Sequence, residues 1–418
     1  MKKFGLILLI TLGSFWPLFA QDAAGFGISF SGYVKTDFFC DTRQNVTIRE
    51  GHFLLFPLRP ALDARGKDIN ADASFNILSI QTRLTGNIKG PDAFGAKTSG
   101  VVEADFFGNE NAAFVDANGF RLRHAFVRLN WATSELLLGQ YWHPLFIPNN
   151  FSGVVSFNTG APFQPFSRNP QVRFTQRLDN LYFMAALNSQ RDFTSPGGST
   201  ALRNSAVPEA SLQARYETKN GPDELQLGVG GSYKRIEPYV TSTTVDGKTY
   251  KTDSKVESMA ATAFFKYANS SFTYKLQGVY GGNLYDLTML GGYGQTRIID
   301  TTSREFAFAP MKTASVWTEF ITNIDNVRLG LWAGYTENLG AGKRFVPITA
   351  AVRGGDIKNL IRISPRVEIL SGKLNFAFEG EYTMANYSRV GGIDENGVVT
   401  DYDPVANFRA LFSTIYSF

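Results

Sequence analysis

The C-terminal segment of the chain reads Phe408-Arg-Ala-Leu-Phe-Ser-Thr-Ile-Tyr-Ser-Phe418. Its aromatic residues, Phe408, Phe412, Tyr416 and Phe418, all occupy positions of the same parity. Because successive side chains of a β-strand point to opposite faces, these rings would lie on one face of a strand. The segment therefore predicts a final strand that runs to the last residue. Taken alone, it would also suit a buried last strand in a soluble sheet.

Alternation with a period of two recurs along the whole chain. From Gln21 onward, no window of two turns or more shows an apolar stripe with helical spacing. Leu78, Ile80 and Leu84 share one parity and Arg83 belongs to the other, so we expect one unbroken strand there with Ile80 and Leu84 on the same face. Sixteen strands are predicted in total, over 26–39, 74–88, 95–107, 118–131, 135–142, 169–178, 180–189, 209–217, 224–235, 256–267, 270–282, 311–323, 326–336, 359–370, 373–386 and 405–418.

The composition excludes several classes of protein. Charged residues make up 19% of the 418, below the roughly 25% of a typical soluble chain. The mean hydropathy of −0.12 excludes a polytopic helical membrane protein, because each span needs about 20 mostly apolar residues. A single cysteine excludes a disulfide framework, and a net charge of +4 is too small to indicate nucleic acid as a partner.

The N-terminus has the features of an export signal. Two lysines precede the apolar run Phe4–Ile10, and Ala20 provides a small residue for cleavage. We therefore expect a removable signal peptide at 1–20 and a single barrel domain at 21–418. A membrane anchor is the alternative, although the apolar stretch is short for a span.

The connections between the predicted strands alternate between short and long. Tight turns at 132–134 and 268–269 contrast with long segments at 41–73, 190–208 and 283–310. Short turns at one end and long loops at the other are typical of transmembrane barrels, and a soluble sandwich has no need of them. The sequence thus predicts an all-β fold, a single antiparallel transmembrane β-barrel of sixteen strands.

The connection after the fifth strand has an unusual composition. Residues 136–167 contain no Asp, Glu, Lys or Arg, yet several prolines forbid a spanning helix. Such a segment avoids both bulk water and the bilayer, so we expect the third outer loop to fold into the barrel. The residues expected at the resulting constriction are His143, Phe146, Phe151, Phe157 and Phe163.

Sixteen strands with an inward-folded third loop resemble the general diffusion porins. The segments 120–131 and 136–146 look like the phosphate-selective porin class and its relatives. The end of the chain, with Phe412, Tyr416 and Phe418, is similar to the C-terminal insertion signal of outer-membrane barrel proteins.

The resemblance implies a homotrimer with a constricted aqueous pore in the outer membrane of a Gram-negative bacterium. Its partners would be the lipid bilayer, lipopolysaccharide and the outer-membrane assembly machinery, and no nucleic acid. The third loop of this chain lacks the acidic cluster found in the general porins, which puts a strong transverse field at the constriction in doubt.

Passive diffusion through a water-filled barrel requires no catalyst, and the lining charge sets which solutes pass. Basic residues outnumber acidic ones on the polar parity, so a weak anion preference is expected. We expect Arg83, Arg128, Arg173 and Arg177 to form a basic wall. The full set of expected pore-lining residues is Arg83, Arg128, Arg173, Arg177, Arg215, Arg362 and Arg366.

No catalytic, cofactor-binding or metal-binding residue is predicted, because His52, His124 and His143 lack the spacing of a metal site. The sequence therefore predicts a porin for small hydrophilic solutes and ions. Two alternatives stay open. One is a non-conducting surface barrel that acts as an interaction or adhesion module, and the other is a lipid hydrolase using His124 and His143.

Overall fold

The computed structural model describes residues 25–108, 119–244, 246–345 and 351–418, and the predicted signal peptide lies outside them. Within these residues the chain forms sixteen long antiparallel strands, each paired with the next along the chain. Their bounds are β1 Gly27–Asp41, β2 Ser74–Leu78 continued by Arg83–Lys89, β3 Lys97–Asp105, β4 Arg121–Asn130, β5 Ser134–Trp142, β6 Arg168–Leu178, β7 Leu181–Asn188, β8 Glu209–Asn220, β9 Asp223–Ile236, β10 Val256–Ala268, β11 Phe272–Gly282, β12 Glu305–Thr322, β13 Val327–Asn338, β14 Ile357–Ser371, β15 Leu374–Ser388 and β16 Tyr402–Ser417.

The first and last strands close this sheet into a barrel. Residues Tyr33–Asp41 of β1 pair antiparallel with β16. The backbone N–H of Phe418 donates to the carbonyl of Gly32 at 3.1 Å, and the N–H of Gly32 donates back at 3.3 Å. Closure leaves no unpaired edge, which a sheet in a bilayer requires. The predicted sixteen-stranded barrel is confirmed.

The barrel wall is apolar on its outside and polar on its inside. Phe174 and Leu331 point outward and are 44% and 52% exposed, whereas Arg362 and Glu319 point inward and are fully buried. A soluble sheet would bury its apolar face instead. The reversed arrangement suits a hydrocarbon exterior and a polar interior.

Strand β2 is interrupted, and the expectation of one unbroken strand there was wrong. The N–H of Thr82 donates to the carbonyl of Ser79 at 3.1 Å and makes a turn inside the strand. This turn changes the parity, because Ile77 and Leu84 both face outward at 49% and 39% exposure. Ile80, expected on the same face as Leu84, is buried inside the barrel instead.

The two ends of the barrel differ. Short turns such as 131–133, 179–180 and 221–222 join the strands at one end, and long loops such as 42–73 and 189–208 join them at the other. In the described part of the chain, no helix is long and apolar enough to cross a membrane. The loops carry the strands Asn45–Ile48, Phe53–Pro57, Thr241–Thr243, Thr249–Lys251, Gly291–Asp300 and Ala351–Arg353, the helix Ser199–Asn204, and the 3₁₀ turns Pro148–Asn150 and Tyr285–Leu287.

Candidate functional site

The connection between β5 and β6, residues 143–167, contacts strands on the far side of the barrel, and we call it the crossing loop. The Nδ2 of Asn150 donates to the carbonyl of Leu276 on β11 at 3.1 Å. The hydroxyl of Ser315 on β12 donates to the carbonyl of Phe163 at 2.7 Å. These contacts lie opposite β5 and β6, so the loop spans the lumen.

Buried charged side chains hold the crossing loop. The N–H of Gly153 donates to both carboxylate oxygens of Glu319 at 3.0 Å, and Nη1 of Arg362 donates to the carbonyl of Ala161 at 2.7 Å. Further anchors are Glu379, which accepts from the amides of Val155 and Ser156, and Glu381, which accepts from Asn158. Hydrogen bonds to charged groups are stronger than those between neutral groups, so these bonds hold residues 153–161 of the crossing loop tightly against the barrel wall.

The first long loop also folds inward. Its hairpin, formed by Asn45–Ile48 and Phe53–Pro57, lies inside the barrel with the second strand fully buried. Nη2 of Arg362 donates to the carbonyl of Leu55 at 2.8 Å, and the hydroxyl of Tyr387 donates to the last residue of the hairpin at 2.7 Å. The lumen therefore contains two inward segments, of which the sequence predicted one.

Aromatic rings fill the space between these two segments. Phe107 stacks on Phe157 with ring centroids 4.2 Å apart, and Phe163 meets Trp332 edge-on at 5.4 Å. Such pairs add stability beyond the area they bury. The cluster includes Phe53, Phe107, Phe146, Phe157, Phe163, Phe166, Trp317 and Trp332. Phe146, Phe157 and Phe163, which we expected at a constriction, thus belong to this packed core.

Two cavities lie against the crossing loop, and both reach Phe146 and Pro148. The first, about 340 Å³, we call the polar cavity; its lining includes Arg128, Glu135, Tyr141, Arg173, Gln213, Arg215 and Glu217. The second, about 330 Å³, we call the aromatic cavity; its lining includes Tyr33, Arg83, Glu103, Arg123, His124, Trp142, Phe151, Ser156, Phe157 and Phe166.

The polar cavity has an excess of positive charge. Nε of Arg215 donates to Glu217 at 2.7 Å, whereas Nε of Arg128 is 3.7 Å from Glu135 and makes no hydrogen bond within the described residues. Arg173 donates to the Gln171 side chain at 2.9 Å, and it forms no ion pair with any carboxylate that the structure describes. Three guanidinium groups thus face two carboxylates.

The other expected pore-lining arginines have different surroundings. Arg83 lines the aromatic cavity. Arg177 is exposed near the end of β6 and donates to the carbonyl of Asp179, in the turn that follows, at 2.8 Å. Arg366 is buried and pairs with Glu319 at 2.8 Å, so that it supports the crossing loop. The arginines expected to form one basic wall are therefore distributed between two cavities and a turn.

Two residues of the crossing loop occupy contrasting environments. His143 is fully buried at the start of the loop, where its Nε2 is 3.0 Å from Glu209 of β8. Phe151 is 45% exposed inside the lumen, and Lys275 of β11 donates to its carbonyl at 2.9 Å. His143 thus holds the beginning of the crossing loop against β8, while the ring of Phe151 stays accessible in the lumen.

Sequence reasoning missed Arg123. Its Nε lies 2.7 Å from Oε1 of Glu103, and both residues line the aromatic cavity. A register shift between β3 and β4 next to Glu103 brings both Arg123 and His124 inside, although they are neighbours in sequence. The charge-dense segment 121–124 was the signal that could have indicated a bulge.

Solved structures with the same architecture are found among known proteins. No family model matches the chain, and no curated protein matches it. Among solved structures, the outer membrane channel DcaP of Acinetobacter baumannii is similar with a TM-score of 0.68 at 14% identity, covering 95% of this chain and 99% of that one. The anion-selective porin from Comamonas acidovorans has a TM-score of 0.56 at 12% identity, covering 94% and 100%.

OmpT, an outer membrane protein of Vibrio cholerae, has a TM-score of 0.52 at 11% identity and covers 94% of this chain and 98% of its own. At these identities the likeness establishes the fold. The chain has the closed sixteen-stranded barrel fold of the outer-membrane porins.

Proposed function

We propose that this protein is an outer-membrane porin, a passive channel for small hydrophilic solutes and ions with a weak preference for anions. The outward apolar face and inward polar face of the wall support insertion in a bilayer. The names of two similar structures, a channel and an anion-selective porin, support transport through the lumen.

The observation that carries the anion preference is the polar cavity. Arg128, Arg173 and Arg215 come from three different strands, β4, β6 and β8, and face the same space beside the crossing loop. Arg173 lacks a carboxylate partner among the described residues. Fixed positive charge in a narrow, partly desolvated passage attracts anions and repels cations.

The same proposal covers location and assembly. We infer a homotrimer in the outer membrane of a Gram-negative bacterium from the resemblance of the sixteen strands and the crossing loop to the general diffusion porins. Export would remove residues 1–20, and the aromatic face of β16 would be recognised by the assembly machinery. Contacts with lipopolysaccharide would involve the long loops. We propose no enzymatic activity and no cofactor.

Planar-bilayer recording of the purified protein tests this function. We expect ohmic single-channel steps and, across a KCl gradient, a reversal potential that indicates anion selectivity. A cation-selective reversal potential would contradict the anion preference. Absence of conductance would favour the surface-module alternative, and lipid hydrolysis that is abolished by His143→Ala would favour the hydrolase.

A further inference from the structure

The aromatic cavity has walls suited to a flat apolar group. Trp142, Phe146 and Phe166 pack together on one side, with Trp142 stacked on Phe146 at 4.0 Å between ring centroids. The exposed ring of Phe151 and the ring of Tyr33 also border it. Its volume of about 330 Å³ is at the lower end of the range of small-molecule pockets.

Three residues that line this cavity carry buried polar atoms without a hydrogen-bond partner among the described residues. Within the described residues, Oγ of Ser156, Nδ1 of His124 and Nε of Arg83 are buried atoms without a hydrogen-bond partner. Ser156 and His124 are only 3% and 6% exposed. A buried polar atom without a partner costs roughly 1–3 kcal/mol, so each of these side chains gains stability if it turns toward a bound group in the cavity.

The two guanidinium groups at this cavity differ in how closely the described carboxylates pair with them. Arg123 is neutralised by Glu103 at 2.7 Å and Asp105 at 3.0 Å. Nε of Arg83 lies 3.7 Å from Glu103, whose two oxygens already accept from Arg123 and Thr85. Arg83 thus forms a long ion pair with Glu103 and donates no hydrogen bond to it, so its guanidinium can still donate to a new carboxylate.

We propose that the aromatic cavity is a binding site for a small monocarboxylate with a flat apolar body. The carboxylate would accept hydrogen bonds from Arg83 and Ser156, and the apolar body would lie against the rings near Phe151. This proposal rests on the proposed porin function. It adds to that function one class of anion that would bind inside the lumen.

Benzoate is the probe and is applied during single-channel recording. Acetate, which lacks the flat apolar body, and benzyl alcohol, which lacks the carboxylate, are the controls. We expect benzoate to interrupt the current transiently and both controls to have little effect. Arg83→Gln should weaken the block by about tenfold, consistent with the loss of a charged hydrogen bond. Phe151→Ala, a change at an exposed ring, should weaken it by about threefold.

The matched control is Arg128→Gln in the polar cavity. Its Nε has no hydrogen-bond partner among the described residues and lies 3.7 Å from a carboxylate, as in Arg83. It should shift the reversal potential and leave the benzoate block unchanged. The site proposal is overturned if acetate blocks as well as benzoate, or if Arg128→Gln weakens the block as much as Arg83→Gln.

Calorimetry of benzoate binding to the detergent-solubilised protein separates this proposal from the function on which it rests. Benzoate binding that Arg83→Gln weakens by about tenfold, in a protein that does not conduct, would support the site and contradict the porin. Conductance without any benzoate binding would support the porin and contradict the site.

Discussion

Arg362 on β14 donates from Nη1 to the backbone carbonyl of Ala161 in the crossing loop at 2.7 Å. The same guanidinium donates from Nη2 to the carbonyl of Leu55 in the first-loop hairpin at 2.8 Å. One buried side chain thus joins the barrel wall to both segments that fold into the lumen. Arg362 therefore anchors the crossing loop and the first-loop hairpin at the same point of the wall.

Arg362→Gln should release the two inward segments. Loss of the guanidinium leaves Glu381, 3.4 Å away, as a buried charge with less compensation, at a cost of about 3–5 kcal/mol in the free energy of unfolding. We expect larger and noisier single-channel conductance and a lower melting temperature. Arg389→Gln, at an exposed loop arginine, is the control and should leave the conductance and the melting temperature nearly unchanged. Unchanged conductance in Arg362→Gln would contradict this role.

Arg173→Gln should reduce the ratio of anion to cation permeability, because it removes a positive charge that forms no ion pair with a described carboxylate. The measurement is the reversal potential across a KCl gradient. Arg177→Gln, four positions along the same strand but at the exposed turn, should change this potential much less. Equal shifts in the two variants would show that the polar cavity does not control selectivity.

Gly139→Ala should destabilise the pairing of β4 with β5. Gly139 has φ +130°, and an added Cβ would lie 2.2 Å from the carbonyl oxygen of Ala125. We expect a loss of about 1–3 kcal/mol in the free energy of unfolding, measured by denaturant titration. Gly278→Ala is the control, because the nearest atom to its Cβ would be 3.8 Å away. Similar losses in both variants would contradict the prediction.

Asp192 should stabilise the folded protein at neutral pH, and this contribution should be lost in acid. Burial alone would raise the pKa of its carboxyl, but the charges of Arg168 and Arg121 outweigh burial and hold the pKa below the ordinary 3.8. The contribution is therefore complete above about pH 4 and is lost as the pH falls through the lowered pKa. The difference in melting temperature between the parent and Asp192→Asn should stay constant from pH 8 to 5 and shrink below pH 4. A difference that varies between pH 8 and 6 would argue against this assignment.

Strand positions were predictable because one face of the barrel wall contacts lipid and the other faces the polar lumen. Each residue must suit either the lipid or the lumen, so alternation appears in the sequence wherever the ladder is regular. The aromatic face of the last strand is an example, with Phe408 and Tyr416 exposed and Arg409 buried between them in sequence. Prediction was wrong where the ladder is irregular, at the turn inside β2, because one local hydrogen bond reverses the parity.

The lumen was only partly predictable. The uncharged composition of residues 136–167 indicated an inward loop, and the structure brings that loop against Glu319 and Arg362. The inward hairpin of the first loop was missed, although its buried strand Phe53–Pro57 is almost entirely apolar. A short apolar run in a long loop does not by itself show which surface it packs against.

The sequence by itself determined the class of fold, the number of strands and their approximate bounds. These properties follow from a period-two pattern that each strand carries locally. Only the tertiary structure decided which charges neutralise each other inside the barrel. Arg83 and Arg123 are far apart in sequence and carry the same charged group. Arg83 forms one long ion pair with Glu103, whereas Arg123 forms close ion pairs with both Glu103 and Asp105. Such differences depend on the distances between side chains of different strands and loops, which strand pairing and a register shift bring about.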